Sequence, residues 1–198
     1  MTHLKTSLLA GLLAAAPALQ AAEYSIDSYH SKAQFAVRHM MISNVRGEFS
    51  KVKGSISYDE TKPQDLTIDA TIDTTTVNTS EPKRDEHLRS ADFLDTARFP
   101  AMTFKSKSAR LSGGVILVTG DLTLHGVTRQ VVLTVEKPSA ELKDAKGGAR
   151  RGASATAKIS RKEFGLTWNM AVEAGGVAVG DEVSIQIDIE ATRPGPQS

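Results

Sequence analysis

The chain has 198 residues, with 24 Lys and Arg against 23 Asp and Glu, one Trp and no Cys. A chain of this length can bury a substantial core within one domain. Its near-neutral charge argues against the broad basic surface of a nucleic-acid-binding protein. The lack of cysteine excludes thiol catalysis, Cys-ligated zinc, iron–sulfur clusters and disulfides.

The first residues are typical of a secretory signal peptide. Lys5 lies in a short polar start, an apolar run covers residues 8–16, and Pro17 precedes two small residues, Ala21 and Ala22. This run is too short to span a bilayer, which takes about 20 residues, so cleavage is expected after Ala21 or Ala22. We therefore expect a periplasmic protein with a signal peptide at 1–21, one folded domain at 22–193 and a disordered tail at 194–198.

Beyond the signal segment, apolar and polar residues alternate with the period of a β-strand. The alternation is clearest in residues 66–72, 131–135 and 183–189. Between Phe49 and Val52 the apolar phase changes, which predicts a bulge or sharp bend in one long strand. About eight such strands, with no helices alternating between them, predict an all-β fold built as an eight-stranded antiparallel barrel.

Two segments interrupt the alternation. Residues 79–95 place Pro82 where it suits a first helical turn, and they carry apolar residues at helical spacing: Leu88, Ala91 and Leu94. We expect a short helical insertion here, lying on the barrel as a lid or plug. Residues 137–152 are rich in Lys, Arg, Gly and Ala, and we interpret them as an exposed hairpin connection. Its basic run is either a solvated face or a patch for anions or a membrane surface.

The sequence contains no recognisable catalytic, metal-binding or phosphate-binding motif. The histidines beyond the signal segment have no metal-ligand spacing, and no Gly-x-Ser-x-Gly motif or phosphate-binding loop is present. We expect no catalytic residue, no metal and no cofactor. One alternative is a His-dependent hydrolase, with or without a metal, in which His39, His87 and His125 converge in space. The other is a structural or interaction module that binds no ligand.

Small residues at inward strand positions predict space inside the barrel. A closed barrel with such space is a pocket for an apolar ligand. The alternative is a completely filled core, because every barrel needs apolar inward residues. The small inward residues are Ala33, Gly47, Gly54, Ala70, Gly120, Ala155 and Ala157.

Several sequence blocks resemble the signature of the YceI-like family. The blocks are VRHMMISNVRGEF at 37–49, RDEHLRSADFLD at 84–95 with Arg98-Phe99-Pro100 and Phe104 after it, GDLTLHGVT at 120–128, and ISRKEFGL at 159–166 with VGDEV at 179–183. They occur in family order and together span about residues 23–191.

This resemblance implies an extended, lipocalin-like, eight-stranded antiparallel β-barrel with a short helical insertion. The barrel interior would hold a long-chain polyisoprenoid or a similar amphiphilic lipid such as an isoprenoid quinone. The role implied is binding, transport or storage of that lipid, without enzymatic activity. The resemblance further implies a homodimer with a transient partner in the inner membrane.

Strand phase and the family blocks together select the candidate site residues. The apolar channel is expected to be lined by Phe35, Val37, Phe49, Ile68, Phe93, Phe104, Leu122, Leu124, Leu133, Phe164 and Trp168. Candidates for contact with a polar head group are Arg38, Arg46 and His125, although a turn-holding role is favoured for His125. A capping and ion-pair network that fixes the helical segment to the barrel is expected from Asp85, His87, Arg89 and Asp92.

Overall fold

The computed structural model describes residues 21–145, 147–172 and 175–195. Apart from its last residue, the signal peptide expected at 1–21 lies outside these ranges, as do residues 196–198 of the expected tail. Within the described ranges, no helix has the length and apolar character needed to cross a membrane.

The described chain folds into strands and one short α-helix. The elements in chain order are β1 (Ala22–Ile26), β2 (Lys32–His39), β3 (Ser43–Phe49), β4 (Val52–Tyr58), β5 (Thr67–Asp73), α1 (Pro82–Arg89), β6 (Ala101–Ser112), β7 (Val115–Leu124), β8 (Val127–Val135), β9 (Leu142–Lys143), β10 (Ala149–Ser160) and β11 (Val179–Arg193). β1 and β2 follow one another along the same edge of β11, and β3 continues into β4. Since β9 adds only two residues beside β10, the barrel wall has eight strands.

The barrel is closed by β11. This strand pairs with β10 over twelve residue pairs, from Ala149–Arg193 to Ser160–Glu182, and on its other edge with β1 and β2. Every pairing between these strands is antiparallel. Because successive side chains of a strand point to opposite faces, closure sends one set from each strand into a common interior. The prediction of an eight-stranded antiparallel barrel is confirmed.

The predicted bend in the second long strand is also confirmed. β3 ends at Phe49 and β4 begins at Val52, with Lys51 between them at a φ of 58°. The Ser50 N–H at the break donates to Oγ1 of Thr76 at 3.1 Å, which satisfies a backbone group that the sheet leaves free. Phe49 and Val52 are therefore both buried, although their odd spacing would place them on opposite faces of a regular strand.

The helical insertion is shorter than the predicted range of 79–95. α1 ends at Arg89, and the Glu81 carboxylate caps it by accepting hydrogen bonds from two backbone N–H groups of the first turn. Beyond Ser90 the chain turns back, and the Leu94 N–H donates to the Leu88 carbonyl at 3.0 Å. The apolar residues that follow the helix therefore reach the barrel from this turn. The helical spacing had placed them on the helix itself.

The hairpin expected at 137–152 is present, since β9 pairs with the start of β10 and most described residues of the segment are exposed, but parts of it are buried. Pro138 is buried, and only 12% of the Arg151 side chain is exposed. The Arg151 guanidinium lies over the Tyr58 ring, 5.4 Å from its centroid, and donates to the Tyr24 hydroxyl at 3.0 Å. The two tyrosines come from β4 and β1, far away in sequence, so a local charge pattern could not reveal them.

The two ends of the barrel have different closures. The upper end, as we call it, carries the β2–β3 and β7–β8 hairpins, α1 and the chain between β10 and β11. The lower end carries the β6–β7 hairpin and the connections that join β4 to β5 and β8 to β10.

Gly54 lies where β4 runs very close to β5, and it provides a test of this packing. Its φ is 139°, and a Cβ built on it would lie 2.0 Å from the Asp69 carbonyl oxygen. We expect Gly54→Ala to lower the free energy of unfolding by about 2–4 kcal/mol, because strain and backbone overlap both oppose the methyl group.

Gly113→Ala is the matched control. Gly113 also has a positive φ, 58°, but no atom lies within 4 Å of a Cβ built there. Its substitution should cost only about 1 kcal/mol of conformational strain. Urea denaturation measures both variants, and equal losses would contradict the close approach of β4 and β5.

Candidate functional site

The barrel interior contains an apolar cavity of about 230 Å³. This volume is many times what one water molecule needs, and an apolar cavity of such size stays dry and accepts apolar ligands. Side chains from both ends of the barrel line it, and nearly all of them are apolar. The polar residues among the lining are Gln34, Thr103, Ser154 and Arg161.

Most of the residues chosen by strand phase lie on the cavity wall. They are Phe35, Val37, Phe49, Ile68, Phe93, Phe104, Leu122, Leu124 and Leu133. The wall also includes inward residues of β11, Val183, Ile185, Ile187 and Ile189, and two residues from the helical insertion, Leu88 and Leu94. The alternation at 183–189 already indicated that these β11 residues point inward. They could therefore have been predicted as lining residues from the sequence.

Phe164 and Trp168 do not line the cavity. Phe164 is completely buried in the upper part of the core. The Trp168 ring packs on His87 and Phe93, with centroid distances of 4.9 and 5.0 Å. Both residues come from chain that has left the barrel wall after β10, so the strand phase that selected them does not apply there.

The small inward residues divide into two kinds. The alanines Ala33, Ala70, Ala155 and Ala157 line the cavity and leave space in it. The glycines were wrongly expected to do the same. A Cβ on Gly47 would lie 2.4 Å from the Phe35 ring, and one on Gly120 would lie 2.5 Å from the Phe104 ring. These glycines let aromatic rings lie against the wall, and the backbone of β5 fills the space at Gly54.

Arg38 and Arg46 lie on the outer face of the β2–β3 hairpin. Both are exposed and neither lines the cavity, because their strand positions alternate with the inward Val37 and Gly47. Arg38 Nη1 donates to Asn44 Oδ1 at 3.4 Å across the hairpin. Head-group contact by either arginine would therefore occur outside the apolar interior.

His125 holds a turn, which is the role that the sequence favoured for it. With Gly126 it forms the two-residue connection between β7 and β8, with φ values of 53° and 74°. Its Nδ1 lies 3.3 Å from the Phe164 carbonyl oxygen, and its ring packs edge-on against Phe99 at 4.9 Å. The imidazole is not on the cavity wall.

The network expected around α1 makes the contacts that fix this segment. The buried Asp85 carboxylate accepts hydrogen bonds from the backbone N–H and the hydroxyl of Thr79, at 2.8 and 2.5 Å. His87 Nε2 pairs with Asp92 Oδ2 at 2.9 Å, and Arg89 Nη1 donates to the Val77 carbonyl at 3.3 Å.

The histidine alternative gains no support from the geometry. In the described part of the chain, one group of three metal-ligating side chains has its ligand atoms within 4.8 Å, and it consists of Asp27, His30 and Glu190. His39, His87 and His125 do not belong to it. Arg150 Nη1 ion-pairs with both carboxylates, so a cation already lies between them. The hydrogen bond between Asp27 and His30 raises the pKa of the imidazole and lowers the pKa of the carboxyl.

A polar cluster closes the lower end. The Tyr24 hydroxyl donates to Glu141 at 2.6 Å, and this bond, together with Arg193, lowers the pKa of the Glu141 carboxyl. Burial raises the pKa of the Tyr58 hydroxyl, which has no hydrogen-bond partner among the described residues. The two tyrosine rings pack against the Arg151 guanidinium at this end.

Arg161 is the site residue that sequence reasoning missed. Its side chain is 4% exposed and lies on the cavity wall at the upper end. Burial lowers the pKa of this guanidinium, and the Asp181 carboxylate at 3.6 Å opposes that shift. An arginine stays charged in proteins even so, so a cation is held beside an apolar cavity.

The Arg161 guanidinium clamps the chain between β10 and β11. It donates to the carbonyl oxygens of Gly180 at 2.9 Å, Trp168 at 2.9 Å, Val179 at 3.3 Å and Leu166. Four of its five N–H groups donate in this way, and the Asp181 carboxylate lies 3.6 Å from Nη2, so the side chain positions the upper closure of the cavity. Nothing in the local sequence marks these partners, because they are backbone carbonyls brought together by the fold.

We expect Arg161→Met to lower the free energy of unfolding by about 2–4 kcal/mol, because several buried carbonyls lose their donor. Amide hydrogen exchange should accelerate selectively in the chain that follows β10. The matched control is Lys162→Met, because Lys162 forms only an exposed ion pair with Asp181 at 2.7 Å, worth about 0–1 kcal/mol. Equal exchange rates in the two variants would contradict the clamp.

Comparison with known proteins places the chain in a family. A family model described as the YceI-like domain matches residues 24–191. The chain is 38% identical to Protein YceI of Escherichia coli O157:H7 over 196 residues, which is 96% of this chain and 99% of that protein.

Solved structures show the same fold. The crystal structure of Burkholderia cenocepacia BcnA matches with a TM-score of 0.70 at 21% identity, covering 83% of this chain and 98% of that one. A polyisoprenoid binding domain from Saccharophagus degradans matches with a TM-score of 0.63 at 21% identity, covering 86% of this chain and 98% of that one. By its family-model match and its close sequence relative, the chain belongs to the YceI-like family.

Proposed function

We propose that this protein binds a lipid with a long apolar chain, of the polyisoprenoid type, inside its barrel and catalyses no reaction on it. The observation that carries the proposal is the cavity, whose wall is apolar over almost its whole surface. Such a site fits a hydrocarbon chain.

The strength of such binding would come from burial of the chain. Each methylene group removed from water contributes about 0.8 kcal/mol. A prenyl chain of many carbons is therefore poorly soluble in water, and a closed apolar barrel keeps it dispersed. The alanines on the wall leave room for it, and ligands longer than the present cavity would need the lining side chains to repack.

The similarity to a polyisoprenoid binding domain supports this ligand class. The signal-peptide pattern at 1–21 supports export, and we place the protein in the periplasm, where it would transport or store the lipid. A homodimer and a transient inner-membrane partner belong to the same proposal and rest on the family resemblance.

Filling the cavity tests the proposal. Ala70→Leu with Ala157→Leu adds two isobutyl side chains in place of methyl groups on the wall, so a bound chain loses the space of at least two methylenes. We expect affinity for geranylgeraniol to fall about tenfold or more. Co-elution of the radiolabelled alcohol with the protein on gel filtration, in detergent-free buffer, measures the affinity.

Thr71→Leu with Thr156→Leu is the matched control, because each threonine lies next to one of the substituted alanines in sequence but faces outward. The control should bind like the unmodified protein. Circular dichroism confirms that both variants are folded. Equal affinity of the cavity variant and its control, or no binding by the unmodified protein, would contradict an interior ligand site.

A further inference from the structure

Exposed apolar side chains are concentrated at the upper end. Nine large apolar side chains of the described residues are exposed, and five of them come from the β2–β3 hairpin and from the chain before β11. We call this set the apolar tip. It consists of Met40, Met41, Ile42, Met170 and Val177, and Ile42 is the most exposed of the five at 78%.

Backbone contacts join these two loops into one surface. The Met40 N–H donates to the Ala178 carbonyl at 2.8 Å, and the Ala178 N–H donates to the Met170 carbonyl at 2.8 Å. A Cβ built on Gly176 would lie 3.7 Å from Met41 Cγ, which puts the two loops in van der Waals contact. The tip is therefore held in place by the fold.

The conformation of the hairpin is unfavourable for the residues it contains. Met40 and Met41 have φ values of 48° and 61°, in the left-handed region where Gly and Asn are favoured. The β6–β7 and β7–β8 hairpins use this conformation too, and each has glycine at its second turn position. At the β2–β3 turn, two apolar side chains face water at a conformational cost, and neither is buried in the barrel.

Two cations flank the tip on the outer face of the same hairpin. Arg38 lies two residues from Met40, which is about 7 Å along a strand. Arg46 pairs with Ala36 and therefore lies two residues further from the tip than Arg38 does. In the described chain neither guanidinium pairs with a carboxylate. The neighbouring acidic residues already have cations, Asp181 with Lys162 at 2.7 Å and Glu182 with Lys158 at 2.8 Å.

We propose that the apolar tip and these two arginines dock on the surface of an anionic phospholipid bilayer. Apolar side chains of an interfacial segment enter about 5–10 Å into the boundary between head groups and acyl chains. At that depth Arg38 reaches the level of the lipid phosphates, where each cation strengthens binding to anionic lipid. A second copy fits this surface less well, because tip-to-tip contact would bring like-charged arginines together.

Docking places the cavity next to a source of apolar chains, since Val37 and Val179 on the cavity wall lie close to the tip in sequence. That consequence rests on the proposed function. Binding to the bilayer itself does not, because it needs only the outer surface of the hairpin.

Vesicle flotation tests the docking. The protein is expressed with its own residues 1–21. It is then mixed with vesicles of phosphatidylcholine containing 30% phosphatidylglycerol. Met40→Asn with Met41→Gly replaces both apolar side chains with the residues that the turn favours. We expect this variant to bind the vesicles at least about tenfold more weakly, and to resist urea at least as well as the unmodified protein.

Two further variants separate the contributions. Arg38→Gln with Arg46→Gln should weaken binding about tenfold on the anionic vesicles and leave binding to pure phosphatidylcholine unchanged. Leu111→Ser is the matched control, because Leu111 is 59% exposed but lies next to the β6–β7 hairpin at the opposite end. It should bind vesicles like the unmodified protein.

The proposal is overturned if the unmodified protein does not float with anionic vesicles, or if the Asn–Gly variant binds them equally well. It is also overturned in favour of a second copy if the unmodified protein does not bind vesicles and sedimentation velocity shows a dimer that the Asn–Gly variant abolishes. Geranylgeraniol binding in vesicle-free buffer separates the two proposals. If the unmodified protein floats with anionic vesicles but does not bind geranylgeraniol, the interior lipid site is contradicted and the docking surface is supported.

Discussion

Closure of the sheet by β11 is the constraint on which the rest of the structure depends. β11 pairs with β10 on one edge and with β1 and β2 on the other, so it has no free edge. Because the sheet is closed in this way, alternate side chains of each strand point either into the barrel or out to solvent. The interior receives apolar side chains from every long strand, while charged residues such as Arg38 and Lys158 remain in water. Space in the interior then depends on how large those inward side chains are, and the alanines on the wall leave the cavity open.

The two ends of the barrel have to be closed by residues that do not follow the strand pattern. At the lower end, tyrosines and arginines from distant strands stack and exchange hydrogen bonds around Arg151. At the upper end, the buried Arg161 donates hydrogen bonds to backbone carbonyls of the chain after β10. Asp85 accepts hydrogen bonds from Thr79 and so fixes α1. A buried cation that donates to four backbone carbonyls defines a single arrangement of the surrounding backbone, because any other arrangement would leave buried charge or carbonyls unpaired. Polar networks thus fix the chain at both ends of the barrel.

The strand pattern predicted the wall of the barrel well and its closures poorly. Residues such as Phe35, Ile68 and Leu133 follow a period of two, and period alone placed them inside. Phe164 and Trp168 lie beyond the end of β10, where that period no longer applies. Gly47 and Gly120 were taken as empty space because a sequence does not show that an aromatic ring on the neighbouring strand covers a glycine. Arg161 was missed because its partners are backbone carbonyls, which have no signature in the residue types.

The most direct test of the central claim, that the cavity holds a lipid with a long apolar chain, is to identify what the protein carries from the cell. The protein is expressed with its own residues 1–21, purified without detergent, extracted with organic solvent and analysed by mass spectrometry. The account predicts a prenyl lipid in a near-stoichiometric amount, and the amount should fall in the variant that carries Ala70→Leu and Ala157→Leu. Folded protein that yields no lipid, even after incubation with native membranes, would contradict it.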